Sequence, residues 1–252
     1  MKNILIITVA GTSSRFSKSI GHDALKCIYQ EENNPSILSI ILEYSKTFFD
    51  KIIIVGGYKF EDLKQYINTR YNIPNIQLIY NEHYADYGSN YSLYLGLLEV
   101  FKTSDCQIVF AEGDLIVDKK SYLNVCNSTQ SAVTATKDFI SADKSVAFYK
   151  NADEFVRYIY DTQHEYLSVN EKFSFLANSG QIWKFTDINI LKNILKNQKE
   201  NDYKDTNLNI VQKYFEHNKS YKIITIEQWY NCNTVDDYRE ASKIFELPNE
   251  AE

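Results

Sequence analysis

Residues 1–16 read MKNILIITVAGTSSRF, and this stretch decides the fold. Residues 4–9 form a short apolar run rich in β-branched side chains and interrupted only by Thr8, which is typical of a strand buried on both faces. Gly11, three hydroxyl residues and Arg15 follow the run directly. Because small residues let backbone N–H groups approach an anion closely, the sequence predicts a phosphate-binding loop after the first strand.

This loop differs from two familiar phosphate-binding loops. A P-loop needs a second glycine five residues after Gly11, followed by lysine and a hydroxyl residue, but Phe16 stands at that position. A dinucleotide-binding loop needs glycine where this chain has Ser13. The loop therefore belongs to another class of phosphate site.

Composition excludes several classes of partner. The chain has 252 residues, 44% of them hydrophobic and 24% charged, as in ordinary globular proteins. A net charge of −6 argues against nucleic acid as the main partner, because phosphate backbones bind basic surfaces. No stretch approaches the roughly 20 apolar residues of a membrane span, and residues 4–9 are too short for a signal peptide. We expect no nucleic-acid or membrane partner. The cysteines are far apart without a C-x-x-C pair, which predicts free thiols and a cytoplasmic location: Cys27, Cys106, Cys126 and Cys232.

Apolar runs alternate with amphipathic segments along the chain. Strands are predicted at residues 4–9, 52–55, 76–80, 107–110, 132–136, 145–149, 155–160, 181–185 and 222–226. Helices are predicted at residues 36–49, 60–70, 90–102, 119–127, 186–197, 206–215 and 235–245. The alternation in the first half predicts an α/β fold with a mostly parallel twisted sheet flanked by helices, and the strands in residues 132–185 predict a smaller antiparallel insertion. With no low-complexity linker, we predict a single domain over residues 1–252.

Polar side chains and glycines follow the first four predicted strands. In a parallel sheet, ligands bind beyond the carboxyl ends of the strands. Those ends carry Ala10-Gly11-Thr12-Ser13-Ser14-Arg15, Val55-Gly56-Gly57-Tyr58, Tyr80-Asn81 and Ala111-Glu112-Gly113-Asp114. This combination of glycines, a cation, an amide and acids suits an anionic ligand with a metal ion.

These segments resemble the nucleotidyltransferases that join a nucleoside triphosphate to a phosphorylated small molecule. That family begins with a strand, A-G-x-x-x-R-F, a short loop and P-K; this chain has AGTSSRF at residues 10–16 and then Leu25-Lys26. Further matching segments follow in family order: VGGY at 55–58, Asn81, NYSL at 90–93, EGD at 112–114, GQIW at 180–183, Trp229, NT at 233–234 and DDY at 236–238. The Asn81, 90–93 and 112–114 segments look most like the branch that makes CDP-activated phosphocholine or other activated small amines.

The resemblance implies a Rossmann-like nucleotidyltransferase fold and an Mg²⁺-dependent cytidylyltransferase with two partners, CTP and a phosphorylated small-molecule acceptor. The implied acceptor is a phosphorylated amine or amino-acid derivative, phosphoglutamine ahead of phosphocholine, activated for capsule or surface-polysaccharide modification. Residues 1–131 would bind the nucleotide and residues 132–252 the acceptor. The acceptor phosphate is already an anion, so the reaction needs charge neutralisation and in-line positioning, with no general base.

The resemblance also assigns roles to individual residues. The catalytic set is Arg15, Lys26 and Asp114, and the metal ligands are Asp114 and Asn233. The nucleotide-binding set is Ala10, Gly11, Thr12, Ser13, Ser14, Gly56, Asn81, Asn90 and Ser92. The acceptor-binding set is Glu112, Tyr87, Trp183 and Asp161.

Two positions depart from the family pattern. Leu25 replaces the proline of P-K, which changes the loop and keeps the charge of Lys26. Asn233 stands where the family has an aspartate that is the second metal ligand. An amide oxygen can coordinate a hard cation but brings no charge. The alternative is that Asn233 only caps the helix predicted from residue 235.

Other functions remain open at this point. A nucleotide-sugar glycosyltransferase could use residues 112–114 as its acidic metal motif, although it does not need Arg15 and Lys26 beside the first strand. A sugar 1-phosphate nucleotidyltransferase keeps the family and changes the acceptor, and a nucleotide-sensing domain would have lost its metal site at Asn233. Considered alone, Lys26 would be interpreted as a surface lysine and Asp114 as an acidic residue of a loop. Their joint order along the chain carries the prediction.

Overall fold

The computed structural model describes residues 1–31, 34–71, 74–103, 105–142, 145–160 and 165–242. The strands in these ranges are β1 (Lys2–Val9), β2 (Lys51–Gly56), β3 (Ile76–Tyr80), β4 (Cys106–Glu112), β5 (Leu115–Val117), β6 (Ser131–Thr136), β7 (Ala147–Asn151), β8 (Val156–Ile159), β9 (Phe173–Phe185), β10 (Tyr221–Ile226) and β11 (Trp229–Asn231). The helices are α1 (Ser14–Ile20), α2 (Ile37–Ser45), α3 (Phe60–Arg70), α4 (Ser89–Val100), α5 (Lys119–Asn127), α6 (Ile188–Lys196), α7 (Leu208–His217) and α8 (Val235–Ser242).

The central sheet has the strand order β10-β6-β9-β4-β1-β2-β3. β1 pairs in parallel with β2 and β4, β2 with β3, and β6 with β10. β9 lies between β4 and β6 and is antiparallel to both. The predicted α/β fold with a mostly parallel sheet flanked by helices is confirmed.

The antiparallel part of the fold is built on β9, which is longer than the predicted strand. Its last residues complete the central sheet, and its first residues pair with β7, which pairs in turn with β8. Phe173, Ser174 and Leu176 at its beginning are exposed, so this half lacks the continuous apolar run of a buried strand. Only residues 181–185 therefore gave a strand signal in the sequence.

Helices cover both faces of the central sheet. Leu5 and Ile7 of β1 point to a core that includes residues of α1, α2, α3, α5 and α8. Ile4 and Ile6 point to a second core with residues of α4, α6 and α7. Because β1 is buried on both sides, its sequence shows an apolar run in place of an alternating pattern.

Short elements are those that the sequence did not predict. They are α1, the pair formed by β5 and β11, and two 3₁₀ turns at Lys26–Ile28 and Glu200–Lys204. Strands of three residues and helical segments of at most seven residues are too short to show a period of their own. The last predicted helix is observed to Ser242, and its remaining residues lie outside the described ranges.

All four cysteines are buried free thiols, as the sequence predicted. Among the described helices, none is both long and apolar enough to cross a bilayer.

Candidate active site

A cavity of about 380 Å³ opens at the carboxyl ends of β1 and β4. Its walls bring together segments that are far apart in the chain. The lining residues are residues 8–16, residues 25–27, Asn81, Tyr84, residues 87–89, Ser92, residues 112–114, Asn207 and Asn233. The edge of the sheet that the sequence predicted as a ligand site is therefore the edge at which this cavity lies.

The loop after β1 forms one wall of the cavity. Ser13 has a left-handed backbone (φ 54°), and its hydroxyl accepts a hydrogen bond from the Lys26 backbone N–H at 3.2 Å. A Cβ atom at Gly11 would meet no atom within 4 Å, so the space beside the loop backbone is open. The loop can therefore be approached closely by a ligand, as a phosphate-binding loop requires.

Four polar side chains meet where the loop, β4 and the start of α8 converge. Lys26 Nζ donates to Asp114 Oδ2 at 2.7 Å and to Asn233 Oδ1 at 3.4 Å. Arg15 Nη2 donates to the same Asn233 oxygen at 3.0 Å. The Cys232 N–H donates to the Asp114 carbonyl at 2.9 Å, which ties the two segments together. The structure thus unites all the residues predicted as catalytic or metal-binding.

The donor set of this cluster fits a magnesium ion. Asp114 Oδ1 is buried and has no hydrogen-bond partner. Within the described ranges, no group of three or more His, Cys, Asp or Glu side chains could hold a metal. The oxygen ligands in this cluster are the Asp114 carboxylate and the Asn233 amide oxygen. Mg²⁺ takes hard oxygen ligands and commonly uses only one or two protein carboxylates, with water and substrate phosphates completing its shell.

Asn233 does not cap α8. The cap is formed by Thr234 and Asp237: Asp237 Oδ2 accepts from the Thr234 and Asn233 N–H groups at 2.7 and 3.0 Å, and Thr234 Oγ1 accepts from the Asp237 N–H at 3.3 Å. The Asn233 side-chain oxygen instead faces Arg15 and Lys26. The alternative that Asn233 serves only as a helix cap is therefore wrong.

Glu112 lines the cavity two residues before Asp114. Burial raises the pKa of Glu112 to about 7, and the negative charge of Asp114 adds to the rise, while a hydrogen bond from Asn207 opposes it. Asn207 Nδ2 donates to Glu112 Oε1 at 2.6 Å. Asn207 was not predicted from the sequence as a site residue, because an asparagine at the start of an amphipathic helix is typical of an ordinary cap.

Asn81 and Ser92 form a buried pair in the cavity wall. Asn81 Nδ2 donates to Ser92 Oγ at 3.0 Å, and Asn81 Oδ1 accepts from the His83 N–H at 2.9 Å. The Asn81 N–H donates to the Gly56 carbonyl at 2.8 Å, which fixes the residue at the end of β3. One lone pair of the amide oxygen is thus occupied, and one Nδ2 hydrogen and the Ser92 hydroxyl hydrogen have no hydrogen-bond partner among the described residues.

Three residues assigned to the site by resemblance do not line the cavity. Trp183 is fully buried, stacks on Phe110 with ring centroids 5.1 Å apart, and donates from Nε1 to the Tyr158 hydroxyl at 2.6 Å. An acceptor cannot reach it, which corrects the expectation for Trp183. Gly56 is packed tightly, since an added Cβ would lie 2.6 Å from Leu63.

Asn90 is also withdrawn from the cavity. It is fully buried and donates from Nδ2 to Gln198 Oε1 at 2.8 Å and to the Asp202 carbonyl at 2.7 Å. These bonds attach the 3₁₀ turn at Glu200–Lys204 to the beginning of α4. Asn90 and Gly56 thus have packing and tethering contacts in place of the predicted nucleotide contacts.

Tyr87 and Asp161 are the other two residues that the resemblance predicted to bind the acceptor. Tyr87 lines the cavity, and its ring lies 4.6 Å from that of His83 and 5.1 Å from that of Tyr91. Asp161 lies outside the described residues.

The sheet order and the site at its edge define a molecule with the nucleotidyltransferase fold. Its structure is similar to that of CTP:phosphocholine cytidylyltransferase from Streptococcus pneumoniae, with a TM-score of 0.68, 18% identity, and coverage of 98% of this chain and 100% of that one. It is also similar to a putative glucose-1-phosphate thymidylyltransferase from Bacillus anthracis, with a TM-score of 0.70, 13% identity, and coverage of 99% and 98%.

Residues 22–245 match the family described as "Domain of unknown function (DUF6564)", and the chain belongs to that family. In sequence, the chain is also similar to choline-phosphate cytidylyltransferase of Haemophilus influenzae, with 30% identity over 118 residues. That alignment spans 47% of this chain and 46% of the relative, so it covers about half the length of the curated protein.

Proposed function

We propose that this protein is an Mg²⁺-dependent cytidylyltransferase that transfers CMP from CTP to a phosphorylated small amine or amino-acid derivative and releases pyrophosphate. The observation that carries the proposal is the convergence of the open loop at residues 11–14 with Arg15, Lys26 and Asp114 in one cavity. The Haemophilus and pneumococcal proteins, named as cytidylyltransferases of phosphocholine, support the same class of reaction.

The proposed step is a displacement at phosphorus. An oxygen of the acceptor phosphate forms a bond to the α-phosphorus of CTP, and the bond from that phosphorus to the bridging oxygen breaks, so that pyrophosphate leaves with the electron pair. Arg15 suits a two-pronged grip on the triphosphate, and Lys26 provides a point charge near it. These cations and the loop N–H groups supply the charge neutralisation and positioning on which phosphoryl transfer depends.

Asp114 and Asn233 are the residues that would hold Mg²⁺. When bound, the ion supplies further neutralisation of charge on the triphosphate. The buried, unpartnered Oδ1 of Asp114 supports this assignment, because an unpaired carboxylate oxygen in a protein interior is costly.

The Asn81–Ser92 pair supports cytosine as the base. Its free hydrogens, one on Asn81 Nδ2 and one on Ser92 Oγ, are donors, and the amide oxygen is already bonded to the His83 N–H. Cytosine presents acceptors at N3 and O2, whereas uracil and thymine carry a hydrogen on N3. These donors can pair with the N3 and O2 acceptors of cytosine.

For the acceptor, the sequence resemblance favours phosphoglutamine, with phosphocholine next, and capsule or surface-polysaccharide modification as the process served. The four buried free thiols suit a reducing cytoplasm, where we place the reaction. A sugar 1-phosphate is the alternative acceptor to be separated from these, since the Bacillus anthracis neighbour with the same fold is named for glucose 1-phosphate.

Pyrophosphate release from a matrix of substrates tests the proposal. The triphosphates are CTP, UTP, dTTP, ATP and GTP, and the acceptors are glutamine phosphate, phosphocholine, phosphoethanolamine and glucose 1-phosphate. We expect release with CTP and the nitrogen-bearing acceptors, with the CDP-linked product identified by mass spectrometry. Faster turnover of UTP or dTTP with glucose 1-phosphate would identify the protein as a sugar 1-phosphate nucleotidyltransferase instead. Absence of release from every pair, together with triphosphate binding in calorimetry, would indicate a sensing domain.

A further inference from the structure

The cavity contains a second polar group besides the phosphate-binding cluster. Glu112 Oε1 accepts from Asn207 Nδ2 at 2.6 Å, and this bond fixes the carboxylate at one of its two oxygens. Among the residues that the structure describes, none donates to Glu112 Oε2, and Asn207 Oδ1 is buried without a partner. Both residues line the cavity, and each keeps one acceptor oxygen that receives no hydrogen bond from the described residues.

Asn207 is not held in this orientation by helix capping. It occupies the cap position of α7, where an asparagine normally accepts a hydrogen bond from a backbone N–H of the first turn. Here its side chain makes no cap bond, although only 1% of the residue is exposed. Its backbone N–H donates to Ser89 Oγ at 2.9 Å, which anchors the residue beside the start of α4. The carboxamide is thus committed to Glu112.

An unpaired oxygen in such a position requires a donor from the ligand. Leaving a buried acceptor unsatisfied costs free energy, and a carboxylate costs more than a neutral group. A primary ammonium or amide nitrogen carries two or three N–H bonds, enough donors for both oxygens. A trimethylammonium group has a positive charge but no N–H bond, so it leaves both oxygens unpaired.

The aromatic lining of the cavity is small for a quaternary ammonium. Such groups are held by cages of aromatic faces. Apart from Phe16, whose side chain is fully buried, the aromatic residues that the described part of the chain contributes to the lining are Tyr84 and Tyr87. The His83 ring lies 4.6 Å from the Tyr87 ring at an interplanar angle of 30°, so it covers one tyrosine face.

We propose that Glu112 and Asn207 bind the nitrogen of the acceptor head group through its N–H bonds, and that the protein selects phosphorylated amines bearing N–H over phosphocholine. This inference rests on the proposed cytidylyl transfer and narrows its acceptor class. It separates this chain from the phosphocholine enzymes that it resembles in fold.

A methylation series tests the inference on the wild-type protein. Phosphoethanolamine, its N-methyl and N,N-dimethyl derivatives and phosphocholine share one framework and one charge, and they lose N–H bonds one at a time. We expect kcat/KM with CTP to fall along the series, by on the order of tenfold to a hundredfold from the first member to the last. Dissociation constants from calorimetry with CMP present should rise along the same series, which gives a readout independent of turnover.

Two variants assign the selectivity to the named residues. Glu112→Gln removes the charge and Asn207→Leu removes the carboxamide at similar volume, and each should reduce the preference for phosphoethanolamine over phosphocholine by about tenfold. The KM for CTP should change much less, which a general loss of structure would not produce. Asn193→Leu, at an exposed asparagine of α6, is the matched control and should leave the preference unchanged.

The outcomes separate this inference from the proposed function. Equal or better use and binding of phosphocholine overturn the head-group assignment and leave cytidylyl transfer intact. Lack of calorimetric binding by every member of the series also overturns it. If affinity falls along the methylation series but no triphosphate yields pyrophosphate, the head-group site is supported and the proposed reaction is contradicted.

Discussion

Lys26 Nζ lies 2.7 Å from Asp114 Oδ2, although 88 positions separate the two residues in the chain. Their side chains are 20% and 22% exposed, so the pair is partly shielded from water. The Lys26 ammonium also contacts Asn233 Oδ1, and it thus sits between the two proposed metal ligands. In this arrangement the Lys26 ammonium neutralises the Asp114 carboxylate and shares the Asn233 amide oxygen with Arg15.

The first prediction concerns Asp114. Replacing it with alanine should reduce CTP-dependent pyrophosphate release to background, because the cluster around Lys26 and Asn233 then has no carboxylate to hold a cation. Rates are to be measured at saturating Mg²⁺, with circular dichroism to establish folding. A folded Asp114→Ala protein with near-normal rates would show that the metal assignment is wrong.

The second prediction concerns Lys26. Its removal should lower kcat by about 10²–10³-fold, as for other groups that neutralise charge in a transition state, and should change the KM for CTP less. Mg²⁺ should bind Lys26→Ala more tightly than wild type without nucleotide, because Asp114 loses its competing ammonium; calorimetry measures this. Lys18→Ala, an exposed lysine of α1, is the control. Wild-type kinetics in Lys26→Ala would identify Lys26 as a surface lysine.

The third prediction concerns the neutral ligand. Asn233→Asp should lower the Mg²⁺ concentration needed for half-maximal rate, since the added charge attracts the cation, and Asn233→Leu should raise it. The maximal rate of the aspartate variant is expected to fall, because a further negative charge opposes the incoming phosphate.

Thr234→Ala provides the control for Asn233. It removes the α8 cap and should cost about 1 kcal/mol of stability in melting curves, with an unchanged Mg²⁺ requirement. If Asn233→Leu shares that behaviour and keeps the wild-type half-saturation, Asn233 has no part in metal binding.

The fourth prediction follows from the tether formed by Asn90. Asn90→Leu removes its bonds to Gln198 and to the Asp202 carbonyl, and the unpaired partners should cost about 1–3 kcal/mol of stability. Because this segment leads into Asn207, the KM for the acceptor should rise more than the KM for CTP. Asn68→Leu, on an exposed face of α3, is the control. A selective rise in the KM for CTP would show instead that Asn90 contributes to nucleotide binding.

Local sequence patterns were sufficient for the framework. The predicted bounds of α3, α5 and β3 agree with the structure, and the apolar run of residues 4–9 lies within β1. Helical and strand periods depend on neighbours a few residues apart, so short windows contain the information. The loop and the residues at the ends of β1 and β4 followed from the rule that parallel strands present their carboxyl ends at one edge.

Side-chain direction and partner choice were decided by the tertiary structure. Asn207 and Asn233 both stand beside helix starts, yet neither caps its helix, because Glu112 in one case and Arg15 with Lys26 in the other supply stronger charged partners from distant segments. Trp183 lies in a segment, residues 180–183, that resembles a nucleotidyltransferase motif, but its ring is buried and stacks on Phe110.

The sequence by itself therefore determined which elements form and which residues lie at the edge of the sheet. Only the tertiary structure determined which polar side chains meet there. The physical reason is that hydrogen bonds and ion pairs are selected among groups brought together by the packing of the two cores, and Lys26 and Asp114 become neighbours only after β1 and β4 have paired.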